Sequence, residues 1–217
     1  MPYAYIALDF PTVPAPLARS RAHRSLTQRL AEDAAFLQVY MREGLNQIQP
    51  FLTLERYAGF LTVQHHMLCD EQRYHQAEEL QRMLPDLGLT NPARANRMQA
   101  DLRDLEAWPV KPVPPAPMGL TLLETLGWFY ASEGLMLSLE RLAHTKGVGA
   151  RLGLTELHGG RHLHASIDAR THAWRQLAQT LDSNLLTEDQ GSEVVAGACL
   201  AYHRLDELLS LALGKLS

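Results

Sequence analysis

Between Thr121 and His144 the chain reads TLLETLGWFYASEGLMLSLERLAH, which is apolar nearly all round when wound into a helix. Leu122, Leu126, Trp128, Phe129, Tyr130, Leu135, Met136, Leu137 and Leu139 together cover every side of it. Such a helix is stable in water only when other elements surround it. A membrane span is the alternative for an apolar helix, but no stretch of the chain approaches the ~18–20 uninterrupted apolar residues that crossing requires. The segment therefore predicts the central, buried helix of a globular domain, ended by Gly147 and Gly149.

The flanking sequence supplies the shell. Leu26, Leu30, Ala34, Leu37, Met41 and Leu45 recur at three- and four-residue steps, which predicts one helix running to Pro50. Thr53 is a suitable N-cap, with Glu55 in the first turn, for a second helix that carries Tyr57, Phe60, Gln64 and Met67 towards Met83. Pro85 and Gly88 interrupt the chain, and Asn91-Pro92 reads as N-cap and first residue of a short polar helix through Ala107. Beyond the central helix, another is expected from about His162 to Leu181. A last one runs to Leu213 from Thr187-Glu-Asp-Gln190, a capping-box pattern. No alternating strand pattern and no internal repeat occur. The fold class is all-α, with about six to seven helices.

Prolines mark the remaining organisation. Pro2, Pro11, Pro14 and Pro16 make residues 1–16 an extended arm, because proline lacks the amide donor and restricts its predecessor. Pro109 to Pro117 holds five prolines in nine residues. It reads as a stiff surface crossover within one domain, residues 17–217, since neither flanking half looks self-sufficient. With 46% hydrophobic and 20% charged residues, 217 residues suit one folded domain, and a net charge of −4 leaves no basic field for a nucleic-acid backbone. Cys69 and Cys199 are expected to be reduced thiols. Met1 to Phe10 lacks the charged start and apolar run of a secretory leader, so a cytoplasmic location is expected. There is no Gly-x-Ser-x-Gly elbow and no glycine-rich phosphate loop.

Several segments, in order, resemble bacterial biliverdin-producing heme oxygenases. They are Pro50-Phe51 with Arg56-Tyr-Ala-Gly-Phe60 and Gln64, Met83-Leu-Pro-Asp-Leu87, Ala100-Asp-Leu-Arg-Asp-Leu105, the central helix through Glu133-Gly134, and Arg170-Thr-His-Ala-Trp174. Together they cover most of Gln38 to Leu213. The resemblance implies a heme oxygenase-like helical domain with heme, at once cofactor and substrate, between a proximal helix and a distal helix. A proximal histidine would ligate iron, and distal glycines would let the backbone approach the oxygen-binding face. An external reductase would supply electrons.

Carried over residue by residue, the proximal ligand position falls on Gln38, and a glutamine carbonyl is a far weaker ligand for heme iron than imidazole. His23 lies fifteen residues earlier, about four helical turns away, and does not share that place. Met41 shares a side of the helix with Gln38. On the distal helix Phe129, Tyr130 and Glu133 fall at cofactor-binding positions and Gly134 at a catalytic one. Ser138 stands where the family has a second glycine, also a catalytic position. Lysines for the propionates are missing near His144 and Asn46, with Lys146 and Arg42 close by.

A second constellation suits a non-heme di-metal oxidase on the same fold. His164, Asp168 and His172 follow at i, i+4 steps that place them on one side of a single helix, Glu71 and His75 form another such pair, and Glu133 adds a carboxylate. Three functions thus stand open: heme cleavage to biliverdin, carbon monoxide and iron; a relative that binds heme or another apolar ligand without cleaving it; and the di-metal oxidase.

Overall fold

The computed structural model describes residues 25–75, 92–183 and 186–213, the side chains of His75 and Leu213 excepted. The proline-rich arm, His23, the expected end of the second helix at Met83, the Met83–Leu87 segment and Asn91 lie outside the described residues. Among those described there are nine helices: α1 Leu26–Asp33, α2 Ala35–Ile48, α3 Leu54–His75, α4 Pro92–Asp104, α5 Leu122–Thr145, α6 Val148–Leu152, α7 Arg161–His164, α8 Asp168–Ser183 and α9 Glu188–Leu213. No strand occurs among these residues, only isolated bridges at Thr155.

The caps expected at Thr53 and Thr187 are in place, and Thr121 supplies one that was not anticipated. Arg56 N–H donates to the Thr53 hydroxyl at 3.2 Å at the start of α3. Thr121 and Glu124 exchange side chain-to-backbone hydrogen bonds of 2.8 and 3.2 Å ahead of α5. Thr187 and Gln190 do the same ahead of α9. Two elements differ from the expectation. The first helix is two, because the chain leaves helical geometry at Ala34 (φ −93°, ψ 3°). The apolar stripe runs through the kink unbroken, since Leu30, Ala34, Met41 and Leu45 all face the same core. The expected helix from His162 to Leu181 is also two, α7 and α8, parted by Ala165, Ser166 and Ile167.

Helix α5 is the centre, as its apolar circumference requires: every residue from 131 to 140 is buried. Its main partner is α9, and the two cross closely at paired glycines. A Cβ on Gly127 would stand 1.8 Å from the Val194 carbonyl oxygen, and one on Gly197 would stand 1.8 Å from the Glu124 carbonyl oxygen. These pairings run in opposite sequence directions, so the helices are antiparallel. Glycine inside a helix costs about 1 kcal/mol relative to alanine; here that cost permits backbone-to-backbone contact that no larger residue allows.

The proline-rich crossover is tied down rather than loose. Asp70 of α3 accepts from the Ala116 amide at 3.1 Å and from Arg204 Nε of α9 at 2.9 Å. Arg204 Nη2 donates to the Pro114 carbonyl at 2.7 Å, and the Tyr74 hydroxyl donates to the Pro117 carbonyl at 2.7 Å. The carbonyls that proline-rich chain leaves without helical partners are thus used to join α3 to α9. Residues from both sides of the crossover enter one core. Both cysteines are free. No helix among the described residues is long and apolar enough to cross a membrane.

Gly197→Ala should destabilise the protein by at least ~2 kcal/mol despite alanine's better helix propensity, because overpacking of this kind typically costs 1–3 kcal/mol and here the obstacle is backbone. Urea unfolding checks it; a variant as stable as the parent would show that the crossing is not close-packed.

Candidate functional site

Glu133 and Glu140 are two turns apart on one face of α5, and both are completely buried. An isolated carboxylate there would not stay ionised, so each needs a cation within reach. Arg170 of α8 supplies it to both. Its Nη2 and Nε donate to Glu133 Oε2 at 2.7 and 3.1 Å, and its Nη1 donates to both Glu140 oxygens at 2.8 and 2.6 Å. Arg94 of α4, itself buried, donates to Glu133 Oε1 and lies 3.7 Å from Glu71 Oε2 of α3. The Ser132 hydroxyl donates to Glu71 Oε1 at 2.8 Å. His162 Nε2 is 3.3 Å from Glu140 Oε1.

The protonation states follow. Burial opposes charge on Glu133, but the Arg170 and Arg94 guanidiniums outweigh it and hold the carboxyl below its ordinary range. The same contest at Glu140, where Arg170 and then His162 act against burial, leaves its carboxyl well below that range. Glu71 goes the other way: burial, and then the Glu133 charge, push its carboxyl up, with Arg94 opposing only in part. Burial lowers the His162 imidazole, partly offset by Glu140. At neutral pH two carboxylates, Glu133 and Glu140, therefore balance two guanidiniums, Arg94 and Arg170, while Glu71 and His162 are uncharged. The cluster carries no net charge.

A neighbouring set of carboxylates positions the histidine-rich turn. Asp101 of α4 accepts from the amides of Arg161 and His162 at 2.9 and 2.7 Å, and Asp104 accepts from the Gly159 amide at 2.9 Å. Arg161 Nη1 closes the group by donating to both aspartates. This turn thus delivers His162 into the core.

Gln38, which the resemblance assigns to the proximal position, lies on α2, and α2 packs on α9. The Gln38 side chain is half-buried, near the Tyr202 phenol of α9. Tyr202 is buried, which raises its phenol far above the ordinary range, and Tyr130 of α5 is among its electrostatic neighbours. The Tyr130 ring stacks on Trp174 at 5.1 Å, and its carbonyl accepts from Trp174 Nε1 at 2.9 Å. Tyr130 is one turn before Gly134 on α5. Met41 and Phe129 are wholly buried core residues. Gly134 is buried, and its carbonyl accepts the Ser138 hydroxyl at 2.9 Å, an i−4 bond along the helix.

Two sequence readings need correction. Glu133 meets arginines with both oxygens and is spent on ion pairs rather than turned to a cofactor. The di-metal set is not brought together. His164 ends α7 while Asp168 begins α8, and the break between them removes the shared face that continuous i, i+4 spacing assumed. His164, Asp168 and His172 are all exposed, whereas Glu71 and Glu133 are buried against Arg94 and the His75 side chain lies outside the described residues. Among the described residues no group of three or more His, Cys, Asp and Glu side chains converges as a metal site.

Arg94, Arg170, Glu140, His162 and Asp101 were not singled out from sequence. Asp101 and Arg170 nevertheless stand in two of the segments that carried the family resemblance, and a charged residue inside an otherwise apolar pattern was the available signal.

No protein-family model matches the chain. Heme oxygenase PigA of Pseudomonas aeruginosa is 32% identical over 166 residues, covering 74% of this chain and 79% of the relative. Among solved structures, the NO- and CO-bound heme oxygenase of Neisseria meningitidis superposes with a TM-score of 0.72 at 26% identity, covering 89% of this chain and 94% of that one.

The cluster predicts two different responses. Arg170→Leu leaves two buried carboxylates without their main cation and should cost roughly 3–5 kcal/mol in urea unfolding. Glu71→Gln should do the reverse at neutral pH. In the unfolded chain Glu71 ionises as pH rises through its ordinary value of 4.5, while in the native state it keeps its proton. Native stability is therefore lost with rising pH above that value. The amide is immune to that loss, so the variant should match the parent near pH 4 and melt higher near pH 7. A lower melting point near pH 7 would mean that Glu71 is charged in the native cluster.

Proposed function

This chain belongs to the heme oxygenase family, and from that premise we propose that it takes heme as its substrate, with electrons for opening the macrocycle to biliverdin, carbon monoxide and iron coming from an external reductase. The observation that carries this reading is the retention of Glu133-Gly134 in the buried middle of α5. Arg94 and Arg170 grip Glu133, and Gly134 beside it has no side chain to fill the space a flat ligand needs. Among relatives, the Pseudomonas protein is named a heme oxygenase and the Neisseria structure is of one with NO and CO bound. The reaction places the protein in the cytoplasm, where reductants are at hand.

The residues fit the macrocycle better than they fit its iron. Gly134 suits close approach of a planar ligand, but Gln38 offers only an amide at the position where the resemblance puts a strong axial donor. That mismatch supports a second reading, in which the fold binds heme or a related apolar ligand and does not open it. On either reading, Arg94, Arg170, Glu133 and Glu140 fix the helix bearing Gly134, and Trp174 fixes Tyr130.

Titration of the purified protein with hemin, followed by addition of reductant, tests both readings. The expected result is a saturable Soret change at one hemin per chain and then the absorption of biliverdin. Saturable binding with no biliverdin would select the second reading, and the absence of any hemin binding would end both.

A further inference from the structure

We propose that His65 and Cys69, one turn apart on α3, form a two-coordinate site for a monovalent soft cation of the copper(I) class. The site does not depend on the heme reading. Cys69 Sγ lies 3.8 Å from His65 Nδ1, because positions i and i+4 bring both side chains to one face of the helix. Bonds of the length zinc makes, ~2.3 Å to thiolate sulfur and ~2.0 Å to imidazole nitrogen, let two donors on one ion stand up to ~4.3 Å apart. A single ion therefore spans this pair with little movement of either side chain.

Packing orients the ring before any ion arrives. His65 is 6% exposed, and its ring meets Trp108 edge-to-face with centroids 5.4 Å apart. Arg103 in turn lies over the Trp108 ring at 5.2 Å. Nδ1 is thereby held towards the sulfur, while Nε2 has no hydrogen-bond partner among the described residues. Burial, and then neighbouring His66, lower the imidazole and keep it neutral, the form that ligates a metal. Cys69 is a free thiol and only half-buried, which leaves an approach from solvent.

The donor set selects the ion. Thiolate sulfur is a soft ligand that favours copper(I) over harder cations. The cation takes the place of the thiol proton, which passes to solvent, so one positive charge meets one thiolate and the site stays neutral. A divalent ion would leave a net positive charge there, and two protein donors fall short of the four that zinc takes in closed sites. Asp70, the next residue, supplies no third donor, because its oxygens accept from Arg204 and the Ala116 amide.

Anaerobic titration of the wild-type chain with copper(I), in competition with the chelator bathocuproine disulfonate, tests the proposal. One copper(I) per chain is expected to resist the chelator. His65→Gln should weaken binding about tenfold or more and Cys69→Ser about a hundredfold or more, while Cys199→Ser, the control thiol on α9, stays within about twofold of the parent. Thermal melting checks that each variant folds. X-ray absorption of the copper-loaded wild-type chain gives a reading that needs no variant, with one sulfur and one imidazole nitrogen expected on the metal. Two sulfurs on the copper, no uptake against the chelator, or a His65→Gln variant that binds like the parent would each overturn the proposal.

Discussion

Arg170 holds two carboxylates that α5 carries into the protein interior, and much of the molecule is arranged so that it can. Glu133 and Glu140 cannot be reached by water, and leaving either unpaired would cost more than most single contacts contribute. The helix that carries Arg170 must therefore lie along α5, and it does so with Trp174 stacked on Tyr130 one turn further along. Arg94 brings α4 to the same cluster, and Asp101 on α4 in turn caps the short turn that places His162 against Glu140. A chain of charge requirements thus connects α3, α4, α5, α7 and α8. The protonated state of Glu71 completes the balance, since a third carboxylate would leave the interior with a net negative charge.

On its other side α5 is organised by shape instead of charge. Gly127 and Gly197 bring α5 and α9 into backbone contact, and Arg204 of α9 meets Asp70 of α3 through the proline-rich crossover. The two modes suit different purposes. Close glycine packing sets a distance that tolerates no additional atom, while the ion pairs set orientation, because a guanidinium accepts carboxylates only in its own plane. Between them, the position of Gly134 is determined from two directions without any contact to a ligand.

The candidate site therefore combines firm support for the helix bearing Gly134 with an amide, Gln38, where the family resemblance puts a metal donor. The helix bearing Glu133-Gly134 is held by ion pairs on one side and by the close glycine crossing on the other.

Local rules were enough to reveal the all-α class, the buried central helix and the caps at Thr53 and Thr187, because each depends on residues a few positions apart. The resemblance located Gln38, Glu133 and Gly134 for the same reason, through short ordered motifs. Only tertiary structure decided what those residues touch. The pairing of Glu133 with Arg94 and Arg170 and the approach of Arg94 to Glu71 join residues 23 to 39 positions apart. No spacing rule encodes them. The break between His164 and Asp168 likewise escaped a helical count, because an i, i+4 pattern is compatible with one helix or two, and the choice was made where Asp101 captured the amides of the turn before it.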